Sequence, residues 1–205
     1  MQLFKVESPI YRFLSRFWDL VKLNALWLLF SLPIITIGAA TVAAYGVTLK
    51  MADEHEGHVG RQFVQGFKDN WKQGIPLGII GMVVSYLVYL NLELFNKVPG
   101  NPIMFLFAAI IIGFVGLLHL TYAFPLSARY HNTLFRTLRN SSELVVQFFL
   151  KTMFLWVIIA ILMVLFMFNN TLLFFGIIIG PVSLMLTISG FASRFFSEIE
   201  VQVRE

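Results

Sequence analysis

Ionisable side chains inside apolar stretches are the first place to look for chemistry in this sequence. His119 lies deepest in a predicted membrane span, close to Thr121 and Tyr122. An ionisable residue at membrane depth often marks a proton relay or a substrate contact, because burying a charge in lipid is costly. A neutral imidazole that hydrogen-bonds to a neighbouring helix is the simpler interpretation, and we favour it.

Further polar residues in the predicted spans give a candidate polar intramembrane site made of Asn24, Tyr86, Tyr89 and His119. Tyr86, Tyr89 and Glu93 recur at helical spacing and therefore share one face of a helix. Tyrosines beside an acid can stack on a sugar and hydrogen-bond to it. More commonly such tyrosines belong to the aromatic belt at the membrane interface, which we favour. We expect Asn24 to hold two helices together rather than to bind a ligand.

One polar turn has the residue types of a metal site. It contains Asp53, Glu54, His55, Glu56 and His58. We interpret it as a solvated acidic turn, because ligands on a loose loop lack the outer contacts that orient them. No phosphate-binding loop, zinc-binding helix or nucleophile elbow is found, and there is no cysteine. The sequence therefore predicts no catalytic residue, no metal and no cofactor.

The composition indicates an integral membrane protein. Of the 205 residues, 58% are hydrophobic and 13% are charged, and 22 are phenylalanine. A soluble domain averages about a quarter charged residues. The length leaves room for about six short spans and almost no soluble domain, so we predict one all-α membrane domain over residues 1–205. The net charge of +4 lies in loops and flanks, which argues for membrane topology rather than nucleic-acid binding.

A broken helical hairpin organises the N-terminal part of the chain. An apolar helix from Asn24 should end near Ser31, because Pro33 cannot donate a backbone hydrogen bond and constrains the residue before it. We predict that Pro33 and Gly38 bound a non-helical turn, and that a second helix runs to Lys50. Small residues should let that second helix approach a neighbour closely. They are Ala39, Ala40, Ala43, Ala44 and Gly46.

Three stretches of the chain carry a family resemblance. The first comprises Asn24, Trp27, Ser31-Leu32-Pro33, Thr36, Gly38, Ala39 and Ala40, and the others are residues 63–73 (FVQGFKDNWKQ) and 124–132 (FPLSARYHN). Together they resemble the YesL-like family of bacterial membrane proteins. That resemblance implies an accessory protein associated with carbohydrate ABC importers, and it implies no particular reaction.

Two basic amphipathic segments separate the remaining spans. In residues 61–74, Phe63, Phe67 and Trp71 recur every four residues and form a stripe for docking to a partner or for resting in lipid headgroups. The second segment is residues 127–151, with Leu134, Leu138, Val145 and Phe149 on one side. Predicted spans cover residues 75–95, 103–124, 152–168 and 172–193.

The distribution of Lys and Arg predicts the topology. If the hairpin counts as two membrane segments, 14 of the 15 Lys and Arg lie on one face, and Lys97 alone lies on the other. The positive-inside rule then places both termini in the cytoplasm of a bacterial plasma membrane. We expect the N-terminal segment to be retained rather than cleaved as a signal peptide, because its charged region is long and more spans follow.

Three hypotheses for function remain at this point. The first is a non-enzymatic accessory subunit of a carbohydrate ABC importer that contacts permease subunits within the lipid bilayer. The second is a small-solute transporter or channel, with the broken hairpin lining its site. An intramembrane enzyme ranks last, because His119 has no evident catalytic partner in the sequence.

Overall fold

The computed structural model describes residues 9–54, 57–100 and 102–202, and the regular structure in these ranges is entirely helical. The helices are α1 (Pro9–Ser31), a 3₁₀ turn (Ile34–Thr36), α2 (Ile37–Ala52), α3 (Val59–Lys97), α4 (Ile103–Arg129), α5 (Leu134–Gln147), α6 (Phe149–Met167) and α7 (Asn170–Gln202). The prediction of an all-α membrane bundle is confirmed.

The hairpin between α1 and α2 turns within a few residues. Helix α1 ends at Ser31, as Pro33 predicts. Thr36 then closes the turn, because its hydroxyl donates to the carbonyl oxygens of Phe30 and Pro33, each 2.7 Å away. Phe30 lies in the last turn of α1, where carbonyl groups have no partner within the helix. A side chain therefore supplies the cap that the helix itself cannot.

Gly38 lies outside that turn, which corrects the predicted boundary. It belongs to the first turn of α2, and its role is contact rather than flexibility. A Cβ atom at Gly38 would lie 2.1 Å from the carbonyl oxygen of Gly74, and one at Gly78 would lie 2.8 Å from the Cα atom of Gly38. The backbones of α2 and α3 thus touch where three glycines meet, which is a common way for membrane helices to pack.

The predicted small-residue face of α2 is buried. Ala39, Ala40, Ala43 and Ala44 are almost completely inaccessible, and Ala43 faces Gly66 of α3. Gly46 does not share this role, since a Cβ atom there would meet nothing within 4 Å. The close approach of α2 to α3 is therefore made by its alanines and Gly38 rather than by Gly46.

Helix α3 is longer than predicted. We expected an amphipathic helix over residues 61–74 and a separate span over 75–95, whereas one helix of 39 residues covers both. Pro76 lies inside it. A proline removes one hydrogen bond from a helix, but membrane helices accommodate this because neighbours can satisfy the freed carbonyl group. Helix α4 likewise continues through Pro125, where we predicted its end.

In the described part of the chain, five helical segments are long and apolar enough to cross a membrane, namely Ile34–Ala52, Val59–Lys97, Ile103–Arg129, Phe149–Met167 and Asn170–Val201. Helix α1 is not among them, because Arg16, Asp19 and Lys22 interrupt its apolar sequence. The segment with α2 differs from the other four. Of the 18 residues in its most apolar stretch, 56% are buried, compared with 11–17% in the other segments. Helix α2 is therefore mostly surrounded by protein.

Candidate functional site

The predicted docking stripe on α3 is mostly internal. Phe63 is completely buried, and its ring packs edge-on against Phe30 of α1 at 5.3 Å. Phe67 packs against the same Phe30 ring at 5.0 Å. Aromatic rings at these distances and tilts stabilise a core. Phe63 and Phe67 thus hold α1 on α3, and the prediction that Phe63 contacts a partner is wrong because Phe63 is inaccessible, whereas Phe67 is half-buried.

Trp71 is the member of that stripe that stays accessible. Its side chain is 47% exposed, and the neighbouring Lys68 and Lys72 are exposed as well. The Lys72 Nζ atom lies 5.9 Å from the centre of the indole ring, within the range of a cation–π contact. At this end of the predicted docking stripe, an exposed aromatic ring therefore lies beside two exposed lysines.

Asn24 joins two helices, as we expected. It is buried, and its Nδ2 atom donates to the carbonyl oxygen of Ile177 in α7 at 3.0 Å. Its Oδ1 atom has no hydrogen-bond partner among the residues that the structure describes. Side-chain amides commonly link membrane helices in this manner.

The other members of the predicted polar site do not join Asn24. Tyr86 and Tyr89 are about 60% exposed on α3, in the half that follows the glycine contact. The ring of His119 bonds within its own helix, with Nδ1 2.7 Å from the carbonyl oxygen of Val115. A buried amide, two exposed rings and a histidine bonded to its own helix do not make one binding site.

The acidic turn after α2 gives no metal site in the described part of the chain. There, no group of three or more His, Cys, Asp or Glu residues is arranged to hold a metal ion. His55 and Glu56, which belonged to the candidate cluster, lie outside the described residues. Asp53 instead takes part in a network that the sequence did not reveal.

That network joins the ends of three helices at what we call the basic end of the bundle. Arg129, in the last turn of α4, lies 3.9 Å from the Asp53 carboxylate and 3.1 Å from the Glu200 carboxylate on α7. The Tyr130 hydroxyl also donates to Glu200, and the Ser193 hydroxyl donates to Asp53. The ends of α2, α4 and α7 are therefore held together by charged groups.

Tyr130 stays protonated in this network. Burial, followed by the hydrogen bond to Glu200, raises the pKa of its hydroxyl from 10.0 to about 12. The hydroxyl therefore remains a donor to the carboxylate throughout the physiological range. The sequence signal that could have pointed to this network is the adjacent pair Arg129 and Tyr130, which lies in the family-like stretch 124–132.

Two hydroxyl pairs join helices inside the bundle and were also missed from the sequence. Thr48 and Ser189 link α2 to α7 through hydroxyls 2.7 Å apart, and both residues are completely buried. The Tyr122 hydroxyl lies 2.9 Å from Thr152 Oγ1, which links α4 to α6. Such pairs satisfy polar groups that the apolar interior would otherwise leave without partners.

Residues of the family-like stretches make structural contacts of their own. Trp27 donates to the Thr41 hydroxyl at 3.1 Å. Gln73, which ends the second stretch, donates to the carbonyl oxygen of Asn132, which ends the third. The pattern of these residues is therefore explained by packing.

A family model matches the N-terminal part of the chain. Residues 20–92 match the family model described as "Protein of unknown function, DUF624", which is 73 of the 205 residues. The match covers the hairpin and most of α3, and it is consistent with the YesL-like resemblance. No curated protein and no solved structure matches the chain.

Proposed function

We propose that this chain is a YesL-like, non-enzymatic accessory subunit of a carbohydrate ABC import system. The observation that carries the proposal is Trp71, which remains 47% exposed beside two lysines while Phe63 of the same stripe is buried and Phe67 is half-buried. Tryptophan is enriched among the anchor residues of protein interfaces. The carbohydrate context rests on the family resemblance.

The proposed location is the bacterial plasma membrane, with the basic end in the cytoplasm. The residues that mark this end are Arg16, Arg129, Arg139 and Lys151, and the positive-inside rule favours their cytoplasmic placement. Trp71 would then face permease subunits near the inner surface of the bilayer.

Trp71→Ala tests the docking surface directly. Tagged protein is purified from native membranes in mild detergent, and permease chains of sugar importers are identified in the eluate by mass spectrometry. Trp18→Ala is the matched control, since Trp18 is an exposed tryptophan on α1. We expect Trp71→Ala to lose the permease chains while Trp18→Ala keeps them. Equal recovery with both variants rejects docking through Trp71.

Liposomes separate the accessory role from independent transport. An accessory subunit purified alone should not raise sugar uptake above that of empty liposomes. Uptake by the purified protein without permease subunits would establish the transporter alternative and refute the accessory role.

A further inference from the structure

Helix α5 has one face that neither the core nor the network at the basic end uses. Its inner side carries the buried residues Thr137, Ser141, Leu144 and Val145. On its outer side, Phe135 is 78% exposed and Val146 is 77% exposed. These two residues are eleven positions apart, which is about three helical turns, so they lie on the same edge of α5.

This apolar edge continues into the surface of α6. Leu150, four residues after Val146, is 81% exposed. Further along α6, Phe154, Val157 and Ile161 are exposed on a helix that is apolar enough to cross a membrane. Since the exposed side of such a helix contacts lipid, the edge of α5 is continuous with a lipid-facing surface.

Basic groups lie along the same edge. Arg139 follows Phe135 by four residues, and its guanidinium is 71% exposed while pairing with Glu143 at 2.9 Å. Arg136 is exposed beside it. Exposed aromatic and aliphatic side chains interleaved with arginine are typical of helices that lie in the membrane interface. The arginine fork also matches the oxygens of a phosphate group.

We propose that α5 is an interfacial helix that binds the headgroups of anionic phospholipids. Phe135, Val146 and Leu150 would insert among the acyl chains, and Arg136 and Arg139 would contact the lipid phosphates. The lipid is preferred to a protein partner because the exposed apolar residues at the end of α5 are followed, across the junction at Phe148, by exposed apolar residues of the membrane-spanning helix α6. This role is independent of permease docking, which we assign to α3.

Lipid selectivity tests the charge part of the proposal. The full chain is purified in neutral detergent, and phosphatidylglycerol and phosphatidylcholine bound to it are counted by native mass spectrometry. Each arginine removed should weaken the preference for phosphatidylglycerol about fivefold, the value expected for one basic residue near an anionic surface. The double variant Arg136→Gln with Arg139→Gln should therefore lose the preference. The control Arg61→Gln with Lys68→Gln removes the same charge from α3 and should retain it. Loss in both variants, or in neither, overturns the assignment to α5.

The depth of the edge is tested separately with a fluorescent label. The chain has no cysteine, so single cysteines at Val146 and Glu143 can carry an environment-sensitive dye. In vesicles of phosphatidylglycerol and phosphatidylcholine, the dye at Val146 should report an apolar surrounding and the dye at Glu143 an aqueous one. A water-exposed dye at both positions rejects lipid insertion and leaves this edge to a protein partner.

Discussion

Arg16 of α1 and Glu54 after α2 face each other, with Arg16 Nη2 3.8 Å from Glu54 Oε1. Both side chains are exposed, so the pair contributes little to stability. Its value is positional, because it places this part of α1 and the end of α2 at the same end of the hairpin. The chain runs to the tip of the hairpin along α1 and returns along α2. The hairpin therefore adds no net crossing of the membrane, whatever depth its tip reaches.

The contact between α2 and α3 limits how deep the hairpin extends. Gly38, near the tip, meets Gly74 and Gly78, which follow Lys72 closely along α3. The hairpin therefore lies beside the charged half of α3. A charge at the bilayer centre costs about 2.5–3.5 kcal/mol, so the charged half of α3 should stay near the membrane surface. Since the hairpin lies beside that half, we infer that the hairpin enters the membrane without crossing it.

Cysteine labelling tests this topology. Single cysteines can be placed at Ile35 in the tip, Lys68 on α3 and Asn170 at the start of α7. An impermeant reagent added outside intact cells should label the Asn170 position and neither of the others. Labelling at Ile35 from outside would show that the hairpin crosses, and labelling at Lys68 would invert the orientation.

Substitution of Gly38 by alanine should destabilise the bundle. The new methyl group would collide with the backbone of α3, where a Cβ atom lies 2.1 Å from Gly74 O, and such overpacking typically costs about 1–3 kcal/mol. Thermal unfolding in detergent measures the effect. Gly46→Ala in the same helix is the control, since its Cβ atom meets nothing, and it should be neutral or slightly stabilising. Similar melting of both variants would contradict the close-packing argument.

The buried hydroxyl pair of Thr48 and Ser189 should show energetic coupling. Thr48→Val alone leaves the buried Ser189 hydroxyl without this partner, at a cost of about 1–3 kcal/mol. Ser189→Ala alone should cost less, because the Thr48 hydroxyl can still donate to the carbonyl oxygen of Tyr45 at 3.3 Å. The double variant removes both groups, so its loss should be smaller than the sum of the single losses. A double-mutant cycle of unfolding free energies gives the coupling, which we expect near 0.6 kcal/mol or above, by analogy with other membrane helices. Strict additivity would mean that the pair is not formed.

The hydrogen bond from Tyr130 to Glu200 should make the stability of the fold depend on pH in the alkaline range. The pKa of this hydroxyl rises on folding from 10.0 to about 12, so its contribution is complete below pH 10 and is lost as the pH rises through about 12. Tyr130→Phe lacks that contribution at every pH. The difference in melting temperature between wild type and variant should therefore shrink above pH 10. A difference that stays constant up to pH 12 is the contrary result.

Several features of this protein follow from the sequence alone. Long apolar stretches predict helices in lipid, because a helix satisfies all its backbone groups within one segment. Pro33 predicts the end of α1, because proline disfavours helix at the residue before it. The spacing of small residues predicts the buried face of α2, since helical periodicity alone brings Ala39, Ala40 and Ala43 onto one side.

Only the tertiary structure decided which faces meet. Periodicity places Phe63, Phe67 and Trp71 on one stripe, but the two phenylalanines are covered because Phe30 of α1 lies beside them, and Trp71 lies beyond its reach. Asp53, Arg129 and Glu200 are far apart in the chain, and folding brings their helix ends together. A local pattern determines a helix and its apolar side, whereas contacts between distant segments depend on how all the helices pack at once.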